Sequence, residues 1–551
     1  MSDEKVRKYI FVVGGVMSGV GKGVTTSSIG TLMQAKGYRV SLIKADPYLN
    51  VDAGTMNPTE HGEVFVLDSG LETDQDMGNY ERFLGLNLPP ENYMTNGMVF
   101  KHVIDRERAL EYEGKCVEPT YHITEEILRR IEVSVESMDA DITVFEIGGT
   151  VGEYQNAIFL EAARQLKNKY PKDVLFVMVS FLPIPSKLGE MKTKPTQNAV
   201  RQLNSYGITP NIIIGRSRTE IDEKRKEKIA NMTGIPVGYV ISAPDVASIY
   251  DVPVNFAKED LGTKVSTLLG LEARTNDLSA WERFLETTRT TTSKTRIAVV
   301  GKYFNSGDFV LSDVYISVLE AIKFSAYSIG AKADIDYIDS EEFETNPEAL
   351  KKLADYDGVL IPGGFGSRGI EGKLRVIQYV RENKIPYFGL CYGMQLLVIE
   401  YARNVVGLAG AHTREINPTS PHLVINIMDE QRQLVAEGSF GGTMRLGAYP
   451  AELLAGSVAA RAYGTETVVE RHRHRYEVNP EHVELLEQAG LVFSGRSPDG
   501  ALMEIAELPT SEHPFFLGTQ FHPEFLARPL APHPLFTAFM QAASERSRNS
   551  S

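Results

Sequence analysis

Short, nearly uninterrupted apolar runs recur along the chain and alternate with stretches in which apolar residues return every three or four positions. The runs Ile10–Val13, Arg39–Ile43, Ile142–Glu146, Val174–Ser180, Asn211–Ile214 and Gly238–Ile241 predict strands, and Thr26–Lys36 and Thr124–Ser137 predict amphipathic helices between them. Strands that are apolar throughout and separated by helices predict a parallel sheet covered on both faces. Between Leu271 and Lys294 the pattern weakens into Thr-rich, charged sequence that holds the single tryptophan, Trp281. That stretch predicts a linker with a short helix around Leu278–Thr287; an irregular loop of one larger domain is the alternative. The alternation restarts at Arg296–Gly301 and continues through Gly358–Gly364 and Pro386–Cys391, as a second domain would. The expected architecture is α/β, with two doubly wound parallel-sheet domains at 1–270 and 295–543, a linker at 271–294 and a flexible polar tail at 544–551.

Composition narrows the function classes. The chain has 551 residues, enough for two or three domains with cores of their own, and a 42% apolar share near the soluble globular range. A formal net charge of −15 argues against nucleic-acid binding, which needs a basic stripe, and leaves small polyphosphates possible only where lysines gather locally. No run of about 18 apolar residues supports a membrane span, and Met1–Lys8 leads into an apolar run too short for a secretory signal. Two cysteines, Cys116 and Cys391, make no disulfide framework and suit a reducing, cytoplasmic setting.

The first candidate site is Gly14-Gly15-Val16-Met17-Ser18-Gly19-Val20-Gly21-Lys22-Gly23-Val24, placed between a strand and a helix. Glycines let backbone amides turn toward a phosphate, the helix N-terminus adds its dipole and Lys22 adds a point charge. The spacing is not that of a Walker A loop, and Gly23 stands where Ser or Thr would hold magnesium; a tight strand-to-helix turn is the alternative. Carboxylates at strand ends near such a loop are where magnesium would be gripped, which makes Asp76 and Glu146 the candidates; for Glu72 and Asp74 an ordinary surface or capping role is an equal alternative. Lys192-Thr193-Lys194-Pro195-Thr196-Gln197, ahead of a helix expected to begin near Asn198, is either a local anion site or a solvated face.

The second candidate site is Gly389-Leu390-Cys391-Tyr392-Gly393, a cysteine on a glycine-flanked strand-to-helix turn, where exposure and the helix N-terminus favour a thiolate. Downstream, His522 and Glu524 in Gln520-Phe521-His522-Pro523-Glu524 are two positions apart and, on extended chain, would point to one side, with His522 as base and Glu524 as its orienting partner. Pro362-Gly363-Gly364-Phe365-Gly366 offers amides for an oxyanion.

These C-terminal pieces resemble the class I glutamine amidotransferases, and Lys44–Asp52, Gly54–Met56, His61–Val66, Glu72–Asp74, Tyr80–Phe83, Glu146–Gly152 and Lys192–Gln197 resemble the signature blocks of the CTP synthase family, from about Tyr9 to Ala542. The resemblance implies ATP-dependent amination of UTP with ammonia from glutamine. It assigns ATP to Ser18, Gly19, Val20, Gly21, Lys22, Gly23, Val24, Lys44 and Asp76, and Mg²⁺ to Asp76 and Glu146. UTP, or CTP as feedback inhibitor, falls to Ser18, Glu153, Tyr154, Gln155, Lys192, Thr193, Lys194, Pro195, Thr196, Gln197 and Lys228. Glutamine falls to Gly364, Gln395, Glu415 and Arg475. It further implies GTP as activator, a homotetramer, and an ammonia tunnel with His61 and Val64 in its lining and Arg368 in a lid. The chain departs from the family pattern at Ser18-Gly19-Val20, at Glu153-Tyr154-Gln155, which lacks one carboxylate of the usual segment, and at Ser367-Arg368, where an aromatic residue is more usual. Three rivals are an ATPase switch with an inert amidotransferase-like domain, a filament-forming relative without catalysis, and an amidoligase for another acceptor.

Overall fold

The computed structural model describes residues 7–186, 189–302, 305–306, 309–310, 312–428, 431 and 442–550. The expected ranges also took in residues 1–6 and Ser551, which lie outside the described residues. The chain forms two compact units, Met1–Asp52 with Asp76–Leu285, and Ala53–Gln75 with Glu286–Ser551. A segment from the N-terminal half is therefore part of the second unit, which no continuous boundary near residue 271 anticipates.

The first unit is built on a seven-stranded sheet of β1 (Lys8–Gly15), β2 (Val40–Asp46), β3 (Tyr93–Thr95), β4 (Ile142–Ile147), β5 (Val174–Phe181), β6 (Ile212–Ser217) and β7 (Val240–Pro244), in the order β3-β2-β4-β1-β5-β6-β7. Every neighbouring pair is parallel. Each strand expected from an apolar run is present; β3 was not foreseen, because three residues carry no period. Phe11 on β1 packs its ring 5.3 Å from Phe145 and 5.4 Å from Phe176, so the central strands are buried on a shared aromatic layer. The helix α1 (Lys22–Ala35) follows β1 and α2 (Gln75–Leu84) precedes β3. The helix α3 (Lys194–Ser205) begins four residues before the expected Asn198, because Pro195 occupies its first turn, where a missing N–H costs nothing.

The second unit carries β8 (Lys294–Gly301), β9 (Lys332–Asp339), β10 (Gly358–Ile361), β11 (Tyr387–Leu390), β12 (Arg445–Leu453), β13 (Thr467–His474), β14 (Val492–Arg496), β15 (Met503–Glu507) and β16 (Phe516–Thr519), in the order β9-β8-β10-β11-β16-β15-β14-β12-β13. The first five are parallel and α/β, as expected. The last four join antiparallel, which makes the sheet mixed rather than purely parallel. The reason is visible in β12 and β13, where buried positions alternate with exposed ones, the signature of strands with one wet face. Between β10 and β11 lies α5 (Ile370–Glu382), and α6 (Tyr392–Asn404) follows β11. Arg381 on α5 donates to the fully buried Glu400 on α6 at 2.7 Å, pairing the two helices.

Two connecting stretches differ from expectation. In the presumed linker, α4 (Ser279–Thr290) buries Trp281, whose ring lies 5.3 Å from Phe83 and 6.0 Å from Tyr250 of the first unit. Arg274 lies over Tyr38 at 4.5 Å, and Thr275 donates to the Ala35 carbonyl at the end of α1. The presumed loose tail is the C-terminal part of α7 (Pro534–Ser550). Its polar composition suggested a loose tail, but Phe536, Phe539, Met540 and Ala543 form a buried stripe at helical spacing that carries the helix onward. Trp281→Ala should lower stability by about 3–5 kcal/mol, the range for removing a buried aromatic, read as a lower urea midpoint. Because Trp281 is the only tryptophan, wild-type tryptophan fluorescence should change with melting of the first unit; a fluorescence change well below that transition would contradict the packing described.

Candidate active sites

In the first unit, three neighbouring strand ends converge on one place. β1 ends at Gly15, and the chain turns through Val16, Gly19 and Gly21, all at positive φ (80°, 69° and 92°), into α1. No side chain caps α1, so its first amides are available to an anion. Ser18 and Gly19 are exposed on this turn, Val20 is buried beneath it and Val24 is half-buried on α1. Lys22 lies beneath the turn and donates to the Gly149 carbonyl at 2.9 Å; burial lowers its pKa, against the pull of Glu146. The replacement of a Walker-type hydroxyl by Gly23 has a steric cause: a Cβ there would overlap the Asp76 carboxylate.

Asp76, in the first turn of α2, and Glu146, on β4, converge on one ammonium. Lys44 donates to Asp76, and to Glu146 at 2.9 Å, with Asp46 at 3.6 Å. Tyr80 donates to the second oxygen of Glu146. Burial opposes the charge on Lys44, yet Asp46, Asp76 and Glu146 together raise its pKa well above the usual lysine value. Burial and the Lys44 charge pull Asp76 in opposite directions, with the lysine prevailing so that its pKa is lowered, whereas burial prevails at Glu146 and raises it. Among the described residues no cluster of three or more His, Cys, Asp or Glu is arranged to hold a metal. Two converging carboxylates of hard oxygen beside a phosphate loop nonetheless fit Mg²⁺, which takes one or two carboxylates and completes its shell with phosphate and water.

The other residues expected at this site fall into two groups. Glu153 accepts from the Thr150 N–H at 2.9 Å and from its hydroxyl, and from Gln155 at 2.9 Å, while Tyr154 is fully exposed. On the loop into α3 and in its first turn, Lys192 pairs with Glu190 at 2.6 Å, Gln197 donates to the Thr193 hydroxyl at 3.1 Å, and Ser180 near the end of β5 donates to the Thr196 hydroxyl at 2.9 Å. Lys194 is exposed and Pro195 half-buried. The pKa of Glu190 is lowered by Lys192 first and also by Arg225 and Lys228, so these cations share one neighbourhood; Arg225 was missed from sequence. Also missed is a cavity of about 70 Å³ beside Gly21 and Val24, closed by Arg216, Val246 and Asn255, because the ends of distant strands build it.

In the second unit Cys391 sits between β11 and α6 at φ 48°, a left-handed conformation rarely taken by a residue with a side chain. The neighbouring glycines permit it. A Cβ at Gly389 would lie 2.7 Å from the Gly393 backbone, and one at Gly393 would overlap the Ile361 carbonyl. The Cys391 N–H donates to the Thr519 carbonyl at 2.6 Å, and its sulfur has the Arg473 carbonyl at 3.8 Å and the Gln520 amide at 3.7 Å. His522 Nδ1 lies 2.7 Å from Glu524 Oε1. The expected extended chain is replaced by a 3-10 turn over Pro523–Leu526 that brings the carboxylate back to the ring. Burial disfavours the imidazolium, but Glu524 and Cys391 outweigh it and lift the His522 pKa to about 10.

Cys391, His522 and Glu524 line a cavity of about 290 Å³ with Gly363, Gly364 and Arg475. Gly363 must be glycine, since a Cβ would lie 2.8 Å from the His522 ring. Arg475 donates to Gln431 at 2.8 Å and Thr443 at 2.9 Å. Two expected glutamine contacts are not in the wall. Gln395 is buried and donates to the Tyr476 carbonyl at 2.9 Å, and Glu415 accepts from the Gly366 N–H at 2.8 Å, bracing the oxyanion loop from behind; burial raises its pKa. Val64 lines the cavity, His61 lies on an exposed short helix and Arg368 pairs with Glu341 at 2.6 Å. Two buried lysines unseen from sequence flank Tyr392, Lys302 at 5.9 Å and Lys373 at 5.6 Å from the ring; burial lowers them to about 8 and about 7.

Comparison with known families and proteins places both halves of the chain. Residues 8–271 match the family described as CTP synthase N-terminus, and residues 310–542 match glutamine amidotransferase class-I. A CTP synthase of Pyrococcus furiosus is 49% identical over 540 residues, covering 98% of each chain. Those of Carboxydothermus hydrogenoformans and Halalkalibacterium halodurans are 48% and 45% identical over 537 residues, covering 97% of this chain and 98% and 99% of their own.

Lys373 gives a test of the electrostatics around Tyr392. Its ammonium makes no hydrogen bond among the described residues. With a native pKa near 7 against about 10.5 when unfolded, the unfolded chain binds more protons between those values, so this lysine destabilises below pH 7 and the penalty is relieved as pH rises toward 10. Lys373→Met should thus be more stable than wild type at pH 6, by on the order of a few kcal/mol, with urea midpoints converging near pH 10. A difference that does not vary with pH would contradict it.

Proposed function

This chain belongs to the CTP synthase family, and on that premise we propose how its two sites divide the work of a glutamine-hydrolysing CTP synthase. The activity uses ATP, UTP and glutamine. The observation that carries the division is the pair of separate constellations just described, a thiol with its imidazole and carboxylate in the second unit and a lysine–carboxylate cluster under a phosphate loop in the first.

In the second unit the Cys391 sulfur, its thiol proton already passed to His522, attacks the side-chain carboxamide carbon of glutamine. A pKa near 10 means the imidazole holds that proton at neutral pH, and Glu524 fixes the ring to receive it. The amide of Gly364 faces the oxyanion. His522 then returns the proton to the departing nitrogen, ammonia leaves, and water attacks the thioester with His522 as base to give glutamate. Arg475 in the cavity wall holds the substrate carboxylate, Gln395 positions Tyr476, and Glu415 positions the oxyanion loop.

In the first unit the turn Ser18–Val24 receives the phosphates of ATP at the open end of α1, and the cavity by Gly21 and Arg216 receives the base. The γ-phosphoryl group passes to O4 of uracil, turning a poor leaving group into phosphate; ammonia attacks C4 and phosphate departs. Lys22 and Lys44 stabilise charge on the transferring group. Mg²⁺, held by Asp76 and Glu146, would add further neutralisation there. Lys192 to Gln197, Lys228 and Glu153 to Gln155 form the pyrimidine nucleotide site for UTP and for CTP as feedback inhibitor, with Arg225 added to the basic group. Activation by GTP, a homotetramer and a cytoplasmic setting complete the proposal; no helix among the described residues is long and apolar enough to cross a membrane.

Two outcomes test it. With ATP, Mg²⁺ and glutamine, CTP should form only when UTP is present; ATP and glutamine turnover without CTP would overturn the acceptor. Cys391→Ala should lower glutamine-dependent synthesis by 10³-fold or more, on the order of losing a nucleophile, and keep ammonium-driven synthesis within about two-fold of wild type. Loss of both would refute the division.

A further inference from the structure

The hairpin Phe65–Val66 and Glu72–Thr73 packs on β13 within the second unit. Along β13 the arginine side chains and the backbone have separate partners. Arg471 donates to Asp68 at 2.5 Å and to the Val66 carbonyl at 3.1 Å, while its own carbonyl accepts the His522 N–H at 2.8 Å. Arg473 donates to Glu72 at 2.8 Å and lies over the Phe365 ring at 5.3 Å, while its carbonyl faces the Cys391 sulfur at 3.8 Å. Glu72 is 1% exposed, and Gly54 leaves room for it, since a Cβ there would overlap its second oxygen. One guanidinium therefore bridges a carboxylate of the hairpin and a ring of the oxyanion loop, on the residue whose carbonyl abuts the nucleophile.

We propose that Arg473 is a positioning residue for glutamine hydrolysis, held by Glu72, and that this pair sets the spacing between the oxyanion loop at Phe365 and the sulfur of Cys391. The proposal rests on the glutaminase reading above. Glu72 touches neither Cys391 nor His522; it acts through Arg473. The oxyanion loop has no regular secondary structure to hold it, so its registry depends on such contacts, and a shift of about 1 Å in a catalytic geometry costs up to about 10²-fold in rate.

The test measures glutamine hydrolysis by the full-length chain. Glu72→Ala should lower kcat about ten-fold or more with KM for glutamine within about two-fold, because Arg475 and the cavity remain. Glu72→Gln, which keeps an oxygen acceptor of the same reach, should recover kcat to within about three-fold of wild type. Phe365→Leu should also lower kcat, and the double variant should be no worse than the poorer single by more than about two-fold, as for residues acting on one contact chain. Ammonium-driven CTP synthesis by each variant should stay within about two-fold of wild type. If Glu72→Ala fails to fold, Phe365→Leu alone decides by the same kcat and KM division. An unchanged kcat, a rise confined to KM, or a Glu72→Gln as impaired as Glu72→Ala overturns the proposal. Residual hydrolysis by Cys391→Ala would instead overturn the glutaminase reading.

Discussion

One backbone conformation organises the second unit: Cys391 at φ 48°, where a side chain is strained. Such strain of about 1–3 kcal/mol persists only where surroundings over-determine it, and here they do. Gly389 and Gly393 allow backbone contacts that no Cβ would permit, the Thr519 carbonyl holds the Cys391 N–H, and α6 starts at the next residue. The same arrangement aims the thiol away from the core and into the cavity shared with His522, so packing and chemistry are one constraint.

The first unit answers a different demand. There the problem is to keep charge in a buried place without leaving it unpaired. Lys44 serves two carboxylates, Tyr80 satisfies the far side of Glu146, and Lys22 is set against the Gly149 carbonyl. Because each group is balanced by another, charge brought by a nucleotide and its cation meets partners already in position, which is how preorganised electrostatics lowers a phosphoryl-transfer barrier.

Both centres were legible in the sequence where chemistry is local. A glycine-flanked cysteine, a His-Pro-Glu segment and a lysine among glycines each carry their geometry within a few residues. What was hidden depends on distance along the chain. Nothing local to Glu72 decides between a site acid and a surface or capping one; it is buried against Arg473, 401 positions away. Lys302 and Lys373 meet around Tyr392 only through the fold. The three-residue strand Tyr93–Thr95 has too few positions to show a period, and the antiparallel half of the second sheet showed itself in the alternation of β12 and β13, which a search for continuous apolar runs passes over. Glu524 was identified correctly as the partner of His522, but by a tight turn and not by strand alternation. Gly23 looked like a defect in a phosphate loop until Asp76 was seen to fill the space.

The central claim is that Cys391 is the atom on which glutamine is opened. Acid-quenching the protein during turnover of radiolabelled glutamine, followed by peptide mapping, measures this directly. The account predicts label in thioester linkage on the peptide bearing Cys391, stable to acid and released by hydroxylamine. Glutamate production at a normal rate with no label on that peptide, or with label on Cys116, would contradict it.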